Sequence, residues 1–172
     1  MALSKIDAVN FLTGTIPSGN IATSSLAAAA TGKVLQVVST AKTDSFTTTA
    51  TSDTAVTGLS LSITPSSSSN KIFVIFTGAT SCDNAGSYYG AMSIYRNSTR
   101  IVGGQTGANS GSTRIDNVNS GMSILDTPST TSAITYQLYI KSEGNSSTVR
   151  INATSSTVVD EKAVITAYEI AG

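Results

Sequence analysis

The sequence predicts an all-β protein, an antiparallel jelly-roll-like β-sandwich over residues 33–172 preceded by an extended N-terminal arm over residues 1–32. Three observations lead there. From Lys33 onward, short apolar segments of strand length recur between polar turn clusters. Helix signals are almost absent. The first thirty-two residues hold too few large side chains to build a core of their own.

The strands follow in order. "KVLQVVST" supplies Val34, Leu35, Val37 and Val38, and "DSFTTTAT" alternates weakly around Phe46. "AVTGLSLSITP" sets Val56, Leu59, Leu61 and Ile63 largely at period two until Pro65 stops it. After the polar turn "SSSSN", the run "KIFVIFTG" is nearly continuous in β-branched and aromatic residues. Such a run is expected of a central strand buried on both faces. "YYGAMSIYR" leads through "NSTR" into "IVGG", and a Gly-rich stretch from Gly103 to Gly121 reads as a long surface connection before "MSILD". "AITYQLYIKS", the tight turn "EGNSS", "TVRINAT" and "KAVITAYEIAG" complete about nine or ten strands, as a sandwich requires. In the last of these, Val164, Thr166, Tyr168 and Ile170 share one face.

The arm has a different texture. Leu3, Ile6, Val9, Phe11, Leu12, Ile16, Ile21 and Leu26 recur every few residues among small polar ones, a pattern of isolated anchors for pockets on a partner. "SSLAAAAT" could add a brief helical turn capped by Ser24 or Ser25. Fully extended, such an arm reaches on the order of 100 Å at about 3.3 Å per residue. The plainer reading is a disordered tail.

Composition narrows the function. The chain has ten basic and ten acidic residues and no net charge, so it offers no electrostatic footprint for nucleic acid or an anionic membrane surface. Its longest apolar run, Ile72 to Phe76, falls far short of the roughly eighteen residues of a membrane span, and no membrane insertion is expected. Asp7 and Asn10 interrupt the apolar region a secretory leader would need. With no His and a single Cys82, a disulfide within the chain and Cys/His zinc sites are excluded, and the commonest general acid/base is missing. No cofactor or metal is expected; Asp83 with Asn84, and Asp116 with Asn117, lack the ordered ligand spacing of a calcium loop. Asp126, Asp160 and Glu161 fall mostly in predicted turns, and no nucleophile with an oriented base is visible, so an enzyme is not expected.

Two connections carry the remaining candidates. Tyr88 and Tyr89 in "CDNAGSYYG", with Asn109 and Arg114 in "GGQTGANSGSTRIDNVNSG", could stack on and hydrogen-bond a host-surface glycan. The plainer reading has both tyrosines opening a core strand. The sequons at Asn97, Asn145 and Asn152 are what a Ser/Thr-rich chain contains by chance, and carry meaning only in a secreted protein.

Two groups of segments resemble known proteins. "LTGTIPSGNIATSSLAAAATGKVLQVV" resembles the leader of phage fibre and virion-surface proteins. "GLSLSITPSSSSNKIFVIF", "IYRNSTRIVGG", "LDTPSTTSAITYQLYIKS" and "ITAYEIAG" resemble a β-rich module of cyanophages and other phages of aquatic bacteria. Together they span most of the chain. The resemblance implies a homotrimeric jelly-roll head on the virion surface, made in the host bacterial cytoplasm and partnered by the major capsid protein or another virion protein. Physics favours the trimer independently, since a sandwich without disulfides or metals gains by burying a flank and its strand edges against identical copies. Two roles are compatible with this: a capsid decoration or cement protein held by its arm, or a short head or tail fibre binding a host polysaccharide. No heptad or other shaft repeat separates arm from head, which favours decoration.

Overall fold

The computed structural model describes residues 33–83, 89–108, 115–144, 147–153 and 162–172. Among them are ten strands: β1 (Val34–Lys42), β2 (Phe46–Thr48), β3 (Thr54–Ile63), β4 (Lys71–Asp83), β5 (Tyr89–Arg96), β6 (Thr99–Ala108), β7 (Ile115–Asp126), β8 (Ile134–Ser142), β9 (Thr148–Ile151) and β10 (Ala163–Ile170). Every pairing is antiparallel. The anchors Leu3 to Leu26, with Tyr88, Asn109 and Arg114, lie outside the described residues.

Two sheets face each other. One runs β1-β10-β4 with β7 on the far edge of β4, and the other runs β3-β8-β5-β6. Taken as eight long strands in chain order, the sheets read 1-8-3-6 and 2-7-4-5, which is the jelly roll. Strand β4 is the seam. β7 pairs along one edge of it from Ile72 to Cys82, while the other edge takes β10 over Lys71–Thr77 and β9 over Thr80–Asp83. The short β2 continues the sheet beyond β9.

The core lies between the sheets. Ile72, Val74 and Phe76 of β4 meet Leu59, Leu61 and Ile63 of β3, Met92 and Ile94 of β5, and Ile134 to Ile140 of β8 at alternate positions. Strand β10 contributes the small inner face Ala163, Ile165 and Ala167. That narrowness is matched by Gly78 beside it, where an added Cβ would stand 2.8 Å from the Ala163 Cβ. In β3 a register shift between Ala55 and Ser60 contains Gly58, whose φ of 87° suits a residue without Cβ.

Two sequence expectations change. The run Ile72–Phe76 is buried on one face only, since Phe73 and Ile75 point outward from the sandwich and are half-buried. Sheets packed in two layers have an outer side, and a continuous apolar run does not reveal it. Val164, Thr166, Tyr168 and Ile170 of β10 do share one face, and it is the outer one. Finally, the stretch from Gly103 to Gly121 is mostly strand, since β6 runs to Ala108 and β7 starts at Ile115, and the connection from Cys82 to Gly90 is strand at both ends, where β4 continues to Asp83 and β5 opens at Tyr89. Pairing with β5 and β4 holds these Gly- and Ser-rich segments extended despite their turn-like composition.

Candidate interaction surface

The outer face of the first sheet is the most conspicuous surface. Cross-strand register sets Val37 of β1 beside Tyr168 of β10, Tyr168 beside Phe73 of β4, and Phe73 beside Leu125 of β7. An apolar row thus crosses four strands. The Phe73 and Tyr168 rings lie with centroids 6.1 Å apart at 36°, a tilted aromatic contact. The next row is Ser39, Thr166, Ile75 and Ser123, in which the Ser39 and Thr166 hydroxyls share a hydrogen bond at 2.9 Å. Val37 is 54% exposed and Leu125 49%, while Val34 and Leu35, where β1 begins, are 48% and 43% exposed. These are the large apolar side chains that the described residues leave in solvent.

The end where the chain enters β1 is tied down by a buried carboxylate. Glu169 Oε1 accepts from Asn70 Nδ2 at 2.6 Å, from the Ser66 backbone N–H at 2.6 Å and from the Ser66 hydroxyl at 2.7 Å. Its Oε2 accepts from Gln36 Nε2 at 2.6 Å. Burial pushes this carboxyl up, but the donors from Asn70, Ser66 and Gln36 outweigh it and hold the group at about 2. Ala171 N–H donates to the Lys33 carbonyl at 2.9 Å, and Gly172 N–H to Asn70 Oδ1 at 3.2 Å. Lys33, the β3–β4 connection and the end of β10 therefore form one fixed corner.

The opposite end carries the candidate loops. Tyr89 pairs with Ala108, and Cys82 with Ile115, so the bases of the 84–88 and 109–114 connections stand on adjoining strand pairs. Tyr89 itself opens β5 half-buried, and its carbonyl accepts from Glu143 N–H at 3.0 Å. Beneath this end, a hydroxyl trio joins β4, β6 and β7: Thr80 contacts Thr106 at 2.5 Å and Ser120 at 2.6 Å, and Thr106 contacts Ser120 at 3.2 Å. Cys82 is fully buried.

Sequence reasoning missed two further polar groups. On the second sheet, the Tyr95 and Tyr139 rings pack with centroids 4.1 Å apart, and the Tyr95 hydroxyl donates to Asp53 Oδ2 at 2.5 Å. Elsewhere, the buried Tyr136 donates to the part-buried Asp126 Oδ2 at 2.6 Å while Arg96 Nη1 donates to both Asp126 oxygens at 2.9 and 3.0 Å. Burial, then the Asp126 contact, raise the Tyr136 hydroxyl well above the usual phenol range. Contacts between segments far apart in the chain, β5 with β8 in one sheet and β7 from the other, bring these residues together, so no local pattern announces them. Among the described residues, no group of three or more His, Cys, Asp or Glu could hold a metal ion.

No protein-family model matches the sequence, and no curated protein does. Among solved structures, the chain is similar to that of infectious bursal disease virus, Gt strain, at 16% identity and a TM-score of 0.43, covering 80% of this chain and 38% of that one. Similar too are the T=1 particles derived from the same virus (14% identity, TM-score 0.40, 80% and 36% coverage) and its VP2 subviral particle (12% identity, TM-score 0.39, 80% and 37%). This chain spans less than two fifths of the viral chains it matches.

Proposed function

We propose that this chain is a non-enzymatic structural protein of a phage virion, a trimeric decoration or cement protein whose residues 1–32 attach it to the major capsid protein shell. One observation carries the reading: the head is polar in the spatial sense. The segment preceding β1 joins at the fixed corner around Lys33 and Glu169, whereas the 84–88 and 109–114 connections rise from the other end. The thirteen residues of β4 separate these ends by about 40 Å at roughly 3.3 Å per residue. A head built this way can be held at one end and face outward with the other. Many such attachments at symmetry-related positions stabilise a shell through avidity without any strong single contact.

The same polarity supports a second reading, a short head or tail fibre whose loops around Tyr88, Tyr89, Asn109 and Arg114 bind a host-surface polysaccharide. Cryo-electron microscopy of particles carrying the protein separates the two. Regular density over the head, with residues 1–32 threaded between shell subunits, is the outcome expected of cement. Density confined to the tail or to sparse fibres replaces it with the receptor reading. Chain lacking Met1 to Ala30 is expected to leave particles bare, and undiminished occupancy by that truncation overturns the attachment role of the arm.

A further inference from the structure

We propose that the outer face of the β1-β10-β4-β7 sheet is the seat of this chain's own N-terminal segment, with Ile16, Ile21 and Leu26 folded back over the row Val37, Tyr168, Phe73 and Leu125. This is the state of the free chain, in which residues 1–32 have no shell to engage; attachment to a particle would have to lift Ile16, Ile21 and Leu26 off the sheet.

One row across this face, Val37, Tyr168, Phe73 and Leu125, is apolar where a sandwich exterior is ordinarily hydroxylated or charged, and a row with three hydroxyls borders it. The large side chains left exposed among the described residues, Val34, Leu35, Val37 and Leu125, all belong to the strands of this sheet. Contiguous apolar exposure of this sort marks a surface that something covers.

The choice of occupant rests on size and on where the chain arrives. Four strands at about 4.8 Å and eight residues at about 3.3 Å give a face near 19 by 26 Å, or roughly 500 Å². A stable interface between two proteins takes roughly 800 Å² from each partner, so a second copy seated on this face alone is undersized. A tethered segment needs less. Joined to the head at Lys33, it is held at an effective concentration in the millimolar range, and a few apolar side chains at about 1.5–3 kcal/mol each then suffice.

The N-terminal segment is delivered to this face. Lys33 is fixed by the Ala171 hydrogen bond at the corner of the sheet, and the next two residues, Val34 and Leu35, already carry exposed apolar side chains there. From Leu26 to Lys33 is seven residues, a reach of about 23 Å at roughly 3.3 Å each, enough to cross the sheet. The intervening residues Ala27 to Gly32 are all small and bring no bulk to be accommodated. Beyond Leu26, Ile21 and Ile16 offer apolar side chains separated by short polar residues, the composition of a strap lying on a surface rather than of a core element.

The chain has no tryptophan, so Leu125→Trp in the full-length protein supplies a single reporter at a half-exposed position on the face. The expected result is blue-shifted emission and several-fold weaker acrylamide quenching than in the unfolded chain. Adding Ile16→Ser, Ile21→Ser and Leu26→Ser should restore red-shifted, readily quenched emission with unchanged circular dichroism and unchanged mass by light scattering. Leu26→Ser alone should give a partial shift in the same direction. A solvent-exposed indole in the otherwise native chain overturns the proposal. So does a sheltered indole that ignores the serine substitutions and loses its shelter on dilution, which identifies a second copy as the cover. Wild-type chain is silent in this assay, so the quadruple variant can be refolded with an excess of it. Recovery of the blue shift would assign the cover to a neighbour's segment and overturn the same-chain assignment.

Discussion

Asn70 Nδ2 and Glu169 Oε1 are 2.6 Å apart although 99 positions separate them in sequence, and the bond closes the corner where β1, β4 and β10 meet. A carboxyl held at about 2 instead of the ordinary 4.5 contributes on the order of 3 kcal/mol to folding at neutral pH. Because the folded value is the lower one, this stability is complete above about pH 5 and is lost as the pH falls toward 2. Glu169→Gln should therefore lower the urea midpoint strongly at pH 7. Denaturation curves of wild type and variant should converge near pH 2; a constant difference across this range would contradict the assigned charge.

Tyr136 makes the opposite case. Its hydroxyl is buried against Asp126 and resists ionisation, so the unfolded chain releases that proton first as the medium becomes alkaline. Stability from this group is whole below about pH 10 and declines above it. Tyr136→Phe should cost about 1.5–3 kcal/mol at pH 7, the usual value of a hydrogen bond to a charged acceptor. The variant should also show a shallower alkaline loss in equilibrium unfolding followed from pH 9 to 12.

Gly78→Ala should destabilise the fold by about 1–3 kcal/mol through overpacking, because the new methyl meets Ala163 at 2.8 Å and the Phe76 ring at 3.1 Å. Ala163→Gly in the same chain should recover part of that loss. A double-mutant cycle by chemical denaturation measures the coupling, and strict additivity would show that the two strands are not in contact there.

Val74→Asp should abolish soluble folded protein, since position 74 is fully buried in the core face of β4. Val37→Asp, on the exposed outer face, should leave circular dichroism and solubility intact. The pair is read by expression and circular dichroism, and equal outcomes would mean that the two faces of the sheet are wrongly assigned.

The strand series and the jelly-roll class were legible because alternation and turn composition are local properties. Which side of a strand meets the core was less so. In β10 the bulkier residues Val164, Tyr168 and Ile170 lie outside, while the inner face holds Ala163, Ile165, Ala167 and the charged Glu169. Glu169 is tolerated inside only because donors from Gln36 in β1 and from Ser66 and Asn70 in the β3–β4 connection converge on it, which period-two patterning cannot register. The same holds for the Gly-rich stretch around β6 and β7, whose extended form comes from partners elsewhere in the chain. The outer apolar row needed the register of four strands before Val37 and Leu125 could be seen as ends of one line.

The pairing of β1 with β10 also sets a schedule for synthesis. Ser39 must wait for Ile165, 126 positions later, before it has its hydrogen-bonding partner. At about 5–20 residues per second, the ribosome needs roughly 6–25 s to deliver it. As that interval passes, the segment upstream of β1 emerges from the ribosome before the sheet is complete. Dense hydrophobic sequence there would invite aggregation on the polysome. Upstream of β1 the apolar residues Leu3, Ile6, Val9, Phe11, Leu12, Ile16, Ile21 and Leu26 are never more than two in a row, a composition that lowers this hazard.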